Sequence, residues 1–332
     1  MIEVNNLTKR YGQHLALDNI SFTVDEGEIL GFLGPNGAGK STTMNIMTGY
    51  LACTEGEIKI GGIDVVEEPE KAKAQIGYLP ELPPLYGDMR VDEYLNFVAS
   101  IKKVKRSQRK LMIEEVKSIV HIEDMSKRLI KNLSKGYRQR VGMAQAMLGY
   151  PKLIIMDEPT VGLDPKQIIE MRDVIRKLGK KHTVILSSHI MQEVSAVCDR
   201  VMIINKGKIV ASDTPEKLST NLSQGQKMTV RIKGKKSDVI SALEGYPLIT
   251  NINYIASREA DTVDFDFAGD NNTDIREAIF ACMSTNNLPI LMMKSLDLSL
   301  EDIFLQVTNE ATSDAITETE SETITTGEEQ AS

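Results

Sequence analysis

Residues 34–41 read Gly-Pro-Asn-Gly-Ala-Gly-Lys-Ser, the spacing G-x-x-x-x-G-K-[ST]. That spacing suits wrapping a phosphate chain. Gly34, Gly37 and Gly39 let the backbone close tightly, and with Pro35, Asn36 and Ala38 they form a loop whose N–H groups can turn inward on an anion. A helix beginning near Lys40 adds the partial positive charge of its N-terminus. Lys40 is then placed to reach the β- and γ-phosphates of a nucleotide. Ser41 can offer a hydroxyl to Mg²⁺, and Thr42 a further donor to the phosphates.

A second run, Leu153-Ile154-Ile155-Met156-Asp157-Glu158, is apolar until it ends in two acids. As a buried strand it would deliver both carboxylates at its C-terminal edge, where open α/β sheets bind ligands. By itself an apolar strand ending in acids is commonplace; beside a phosphate loop the two acids can divide the work. Asp157 would hold Mg²⁺, since a hard cation prefers oxygen. Glu158 would accept a proton from, or orient, the water that attacks the γ-phosphate.

These groups have to be positioned by a sheet. Ile2 to Leu7 and Leu17 to Val24 alternate in hydropathy around Arg10-Tyr11-Gly12 and predict two antiparallel strands. Glu28 to Leu33 is apolar on both faces, as a strand buried within a parallel sheet should be. Further apolar strands are predicted at Leu153–Met156, Thr183–Ser187 and Val201–Ile204, with helical patterns between them, which is the rhythm of an α/β fold. From about 87 to 150 the strand signal disappears. Val91, Tyr94, Leu95 and Val98, then Leu111, Ile113, Val116 and Ile119, recur at helical spacing and predict a helical subdomain. The bases Lys102, Lys103, Lys105, Arg106, Arg109 and Lys110 fall within it, either as an anion-contacting patch or as a solvated helix face.

Composition narrows the classes. The chain has 332 residues, enough for two or three domains, with 41% hydrophobic residues to build cores. Its net charge of −8 comes mostly from residues 309–332, which hold Glu310, Asp314, Glu318, Glu320, Glu322, Glu328 and Glu329 and no base. The rest is nearly neutral and lacks tryptophan, so neither a positive field nor a stacking platform for nucleic acid is expected. Cys53, Cys198 and Cys282 are an odd, scattered set that suggests neither a disulfide framework nor a zinc site, as in a reducing cytosol. The longest apolar run, Ala278 to Met283, is far below the ~18 residues that span a bilayer. The N-terminal Met-Ile-Glu-Val-Asn-Asn shows no secretory signal. Any membrane role is expected to come through a partner.

Leu133-Ser134-Lys135-Gly136-Tyr137-Arg138-Gln139-Arg140 resembles the Leu-Ser-Gly-Gly-Gln signature of ATP-binding cassette (ABC) proteins, and it precedes the acid-ended strand by about 20 residues. Tyr11, the phosphate loop, Glu81, the signature, Asp157-Glu158, Gly162-Leu163-Asp164-Pro165 and His189 follow the cassette's order over residues 1–220. The resemblance implies a P-loop NTPase of ABC type, with an antiparallel β subdomain and a helical subdomain, that binds ATP with Mg²⁺ and hydrolyses it. It implies that Tyr11 stacks on adenine, that His189 hydrogen-bonds the γ-phosphate, that Glu81 stands where the family has a metal-ligating glutamine, and that Asp164 links two sites across a dimer. Ser134 and Gly136 then face the γ-phosphate bound by the opposite subunit. Plainer roles stand beside these: a hairpin aromatic for Tyr11, a turn residue for Asp164. Lys135 and Tyr137 depart from the signature, and Glu81 from the usual glutamine.

After Leu222 the pattern changes. Met228–Ile232, Ser237–Glu244, Asn251–Ser257, Val263–Phe267, Asp274–Ser284 and Ile290–Lys294 read β-α-β-β-α-β, a ferredoxin-like α+β accessory domain over 221–308. A helix is predicted at Leu300 to Val307, and residues 309–332 form an acidic tail too polar to bury. With this layout, and with Leu298 to Phe304 at the end of the accessory domain, the chain looks like a bacterial transporter ATPase subunit. That implies a homodimer, or pairing with a paralogous cassette, working on an integral-membrane permease, in many such systems an exporter, which is the direction expected here. The chain would then lie in the cytoplasm, peripheral on the inner face of the cell membrane. Apolar residues near Glu81 (Leu82, Leu85, Tyr86, Met89, Val91, Tyr94) are candidates for receiving a permease helix, or for packing within the helical subdomain. A soluble cassette ATPase acting on ribosomes or DNA, and a nucleotide-gated regulatory subunit, are the alternatives.

Overall fold

The structure, a computed structural model, describes residues 1–221, 227–243, 250–255, 259–268 and 275–295. They form two compact units, Met1–Pro215 and a second that begins at Glu216.

The first unit opens with β1 (Ile2–Tyr11) and β2 (His14–Val24), antiparallel around Gly12. Both run further than hydropathy alternation predicts. The register of β1 against β2 shifts between Val4 and Arg10, with Asn6 and Asn19 at φ 50, so bulges break the period of two without ending the pairing. Next come β3 (Ile29–Leu33), α1 (Lys40–Met47), β4 (Glu55–Ile60), β5 (Ile63–Asp64), α2 (Pro69–Ala74) and β6 (Ile76–Leu79). The sheet β2-β1-β4-β5 packs over β3 through a core that includes Val4, Leu17, Ile58 and Phe32. Phe22 meets Phe32 edge to face at 5.2 Å, joining the two layers.

Three helices follow, α3 (Val91–Ile101), α4 (Arg106–Val120) and α5 (Lys135–Met147). α3 buries Val91, Tyr94, Leu95 and Val98 as expected. On α4 Ile113 and Val116 are buried as expected, but Met112 and Val120 complete the stripe in place of Leu111 and Ile119, and Leu111 points to solvent. Lys117 is buried within this layer, where Asp92 (2.7 Å), Glu114 (2.8 Å) and Ser126 (2.9 Å) accept its three protons. Lys102 leaves the basic face altogether. Its Nζ donates to the carbonyls of Gln145, Ala146 and Leu148, closing the C-terminus of α5, and burial pushes its pKa down to about 8.

The chain returns through β7 (Leu153–Asp157), α6 (Pro165–Gly179), β8 (Thr183–Ser188), α7 (Met191–Val197), β9 (Arg200–Asn205) and β10 (Lys208–Asp213), and α8 (Pro215–Asn221) leads out. The sheet order is β10-β9-β3-β8-β7-β6, parallel except for β10. Leu33 pairs with Ser188, Asp157 with Ser187 and Leu79 with Met156, so four strands end along one edge. All five residues of β3 are buried, and α7 lies directly on it: a Cβ on Gly31 would come within 2.2 Å of Val194 Cγ1.

The second unit contains β11 (Lys227–Lys233), α9 (Lys236–Leu243), β12 (Thr250–Ile255), β13 (Thr262–Ala268), α10 (Ile275–Thr285) and β14 (Ile290–Ser295). Its order, β12-β13-β11-β14, antiparallel throughout, is the ferredoxin-like arrangement. Val230, Phe265, Phe267 and Ile279 fill its core. The predicted helix Leu300 to Val307, the stretch Leu298 to Phe304 and the acidic tail lie outside the described residues. No described helix is long and apolar enough to cross a membrane.

Candidate nucleotide site

β3 ends at Leu33 and the chain turns through Gly34–Gly39 into α1. Gly39 occupies the N-cap at φ 110 with no side-chain cap, and the first turn of the helix carries no acid. The N-terminal N–H groups of α1 therefore have no acid of the helix's own first turn and no side-chain cap competing for them. A side chain at Gly39 is doubly excluded, by its φ and because a Cβ would lie 2.7 Å from Leu17 Cδ2 and 2.9 Å from the Ala16 carbonyl. Lys40 is 5% exposed, its Nζ donating to the carbonyls of Gly34 (2.6 Å) and Pro35 (3.2 Å). Burial lowers its pKa, opposed by the charges of Glu158 and Asp157. Ser41, exposed, and Thr42, half-buried, follow on the same turn.

Asp157 closes β7, and Glu158 leaves the strand at φ 47, a conformation uncommon for glutamate. Both are buried. Ser187, paired with Asp157 in β8, donates to Asp157 Oδ1 and accepts the Glu158 N–H at 3.0 Å. Glu158 Oε1 lies 3.8 Å from Lys40 Nζ, and Oε2 lies 2.9 Å from Nδ1 of His189, which follows β8. Three segments far apart in sequence thus meet at one carboxylate. Glu81 is exposed on the loop after β6. Within β6, Tyr78 reaches Asn45 of α1 at 3.4 Å, and burial with the nearby Asp157 charge raises its pKa to about 12.

Tyr11 ends β1, 45% exposed, with Lys9 Nζ 5.2 Å from its ring centroid. An exposed ring in this place can take a flat partner.

Ser134 caps α5, accepting from the Tyr137 N–H at 3.4 Å. Asp164 caps α6, accepting from the Gln167 N–H at 2.9 Å. The two helix starts touch: a Cβ on Gly136 would be 2.5 Å from Gln167 Oε1, and one on Gly162 would be 2.3 Å from Lys135 Nζ. Among the described residues no hydrogen bond or ion pair joins Ser134, Gly136 or Asp164 to Lys40, Asp157 or Glu158. Two groups result: Lys40, Ser41, Asp157, Glu158 and His189 along the sheet edge, and Ser134, Gly136 and Asp164 at two adjoining helix starts.

Two residues here were not singled out from the sequence. Ser187 stood in plain view as a polar residue closing an apolar strand. Gln167 gives no signal, because its role follows from the crossing of α5 and α6.

Residues 17–161 match the family described as ABC transporter. An uncharacterized ABC transporter ATP-binding protein of Bacillus subtilis, YhcH, is 33% identical over 316 residues, covering 93% of this chain and 96% of that protein. The linearmycin resistance ATP-binding protein LnrL of the same organism is 30% identical over 309 residues, with 93% and 98% covered. Among solved structures, the dimeric post-hydrolysis state of the ATP-binding cassette MJ0796 with ADP and Pi is similar at 26% identity. Its TM-score is 0.59, with 64% of this chain and 98% of that one covered. With the phosphate loop and acid-ended strand meeting at one sheet edge, these likenesses place the chain in the ABC transporter family, among its ATP-binding and ATP-hydrolysing proteins.

Proposed function

We propose that two copies of this chain, or this chain and a paralogous cassette, close head to tail on two ATP molecules and so drive a separate membrane permease. The observation that carries this reading is the separation of the two groups. The sheet-edge group has a cationic loop and a general base, while Ser134 and Gly136 stand at another helix N-terminus whose first turn carries no acid. Each supplies what the other lacks once a second copy is stacked against it.

In this reading Lys40 and the N–H groups of the loop hold the β- and γ-phosphates, with Thr42 as a further donor and Tyr11 against the adenine. The oxygen-only set of Ser41, Asp157 and Glu81 fits Mg²⁺, which when bound would neutralise phosphate charge. Glu158, released from Lys40 by the phosphates, takes the proton of the attacking water, and His189 steadies the carboxylate with one ring nitrogen while the other faces the γ-phosphate. Ser134 and Gly136 present the α5 dipole to the partner's γ-phosphate, and Asp164 lies where it can link the two sites.

The permease is proposed to dock in a groove of 810 Å³ lined by Tyr50, Tyr78, Leu82, Pro84 and Lys102, beside Glu81. Leu82 and Tyr50 are 75% and 80% exposed. Tyr86 adds an exposed ring, whereas Val91 and Tyr94 are buried inside the helical layer and are not available. The resistance named in LnrL supports export as the direction, and the permease would hold the chain to the cytoplasmic face of the membrane.

Glu158→Gln tests the core of this. It should bind ATP, sediment as a dimer in excess ATP and release phosphate at least ~10²-fold more slowly. A monomer under those conditions would remove the head-to-tail reading; normal turnover would remove Glu158 as the base.

A further inference from the structure

We propose that Glu193 is a positioning residue for ATP hydrolysis, tying the loop that carries Glu158 to the loop that carries His189. The β7–β8 ladder holds its two strands together only as far as Asp157 and Ser187. Glu158 and His189 both lie beyond that last pair, where no backbone ladder fixes their separation. One oxygen of Glu193 spans the gap. Its Oε2 accepts the hydroxyl of Thr160, two residues past Glu158, and that of Ser188, one residue before His189, at 3.3 Å for the latter. Ser188 Oγ in turn accepts the Ile190 N–H at 3.0 Å, so the clamp grips the backbone on the far side of His189.

Burial and rigidity support the same role. Glu193 is 5% exposed, Thr160 4% and Ser188 1%. Among the described residues no cation pairs with Glu193. A carboxylate so placed is costly to bury, and hydroxyl donors converging on it offset that cost. α7 is also a firm base, because Gly31 lets it sit directly on β3 through Val194 and Cys198. The β3 strand leads into the phosphate loop, so Glu193 references both reacting loops to the strand from which that loop springs. A displacement of about 1 Å in such a geometry can lower a rate by up to ~10²-fold.

The proposal rests on the roles given to Glu158 and His189, and the test separates the two. In the full-length chain, Glu193→Ala should lower kcat for phosphate release by ~10-fold or more while the Kd for trinitrophenyl-ATP changes less than ~2-fold. Glu193→Gln keeps an acceptor oxygen for both hydroxyls and should restore turnover to within ~3-fold of the parent. Thr160→Val, nearly isosteric, removes one donor and should lower kcat on its own. Combined with Glu193→Ala it should add little, since the two act as one unit. If Glu193→Ala does not fold, Thr160→Val and Glu193→Gln carry the test alone. Parent-like kcat in Glu193→Ala or in Thr160→Val, or parallel losses of kcat and binding, overturns the proposal. Where Glu158→Gln abolishes turnover and these variants do not, only Glu193's role falls; where Glu158→Gln itself turns over normally, the underlying assignment falls first.

Discussion

Lys40 Nζ stands 3.8 Å from Glu158 Oε1, with both side chains at least nine-tenths withdrawn from water. Burial outweighs this attraction, since the Lys40 pKa is lowered despite two neighbouring carboxylates. The ammonium is therefore held at a cost in the nucleotide-free chain and is better served by phosphate. Lys40→Met should abolish trinitrophenyl-ATP binding while urea denaturation of the nucleotide-free chain moves by no more than about 1 kcal/mol. A much larger loss of stability would mean that Lys40 serves the fold and not the ligand.

Lys102 makes stability depend on pH. Its pKa falls from 10.5 unfolded to about 8 folded, so between these values the unfolded chain binds more protons and stability rises with pH. Below about 8 the cost of burying the charge is present in full. Comparing the parent with Lys102→Met in urea, the parent should gain about 1–3 kcal/mol relative to the variant from pH 8 to pH 10.5. A flat difference across that window would show that the ammonium is not buried against the end of α5.

Gly31 should be intolerant of any side chain. The Cβ of Gly31→Ala would come 2.2 Å from Val194 Cγ1 and 2.8 Å from Cys198 Sγ, so α7 must move off β3. The expected loss is about 1–3 kcal/mol in chemical denaturation. Turnover should also fall, since α7 carries Glu193.

Ser134→Ala should separate the helix cap from the shared site. Loss of the cap costs about 1 kcal/mol of stability. Because the proposed ligand of Ser134 belongs to the partner, trinitrophenyl-ATP binding to the monomer should be unchanged. Dimer formation in excess ATP, followed by sedimentation, should weaken. Equal weakening of both would place Ser134 in the same half-site as Lys40.

The local chemistry was legible from the chain alone. A G-x-x-x-x-G-K-[ST] run between a strand and a helix, an apolar strand ending in Asp157-Glu158 and a β-α-β-β-α-β rhythm are patterns of near neighbours, set by backbone geometry and hydropathy. Each appears in the structure as β3 with α1, as β7, and as the order β12-β13-β11-β14. Less was legible where a local period is broken or shared. Asn6 and Asn19 hid the true length of the first strands in bulges, and the buried stripe of α4 is turned so that Leu111 faces water, because its partners are on other helices. Lys102, read as one base among six, closes a helix more than 40 residues away. Only the tertiary structure decided that His189, Lys40 and Ser187 converge on the Asp157-Glu158 strand end, and that Glu193 bridges the loops beyond it. Such contacts join segments about 30 to 120 residues apart, and their register depends on parallel strand pairing and helix docking, which no local spacing encodes.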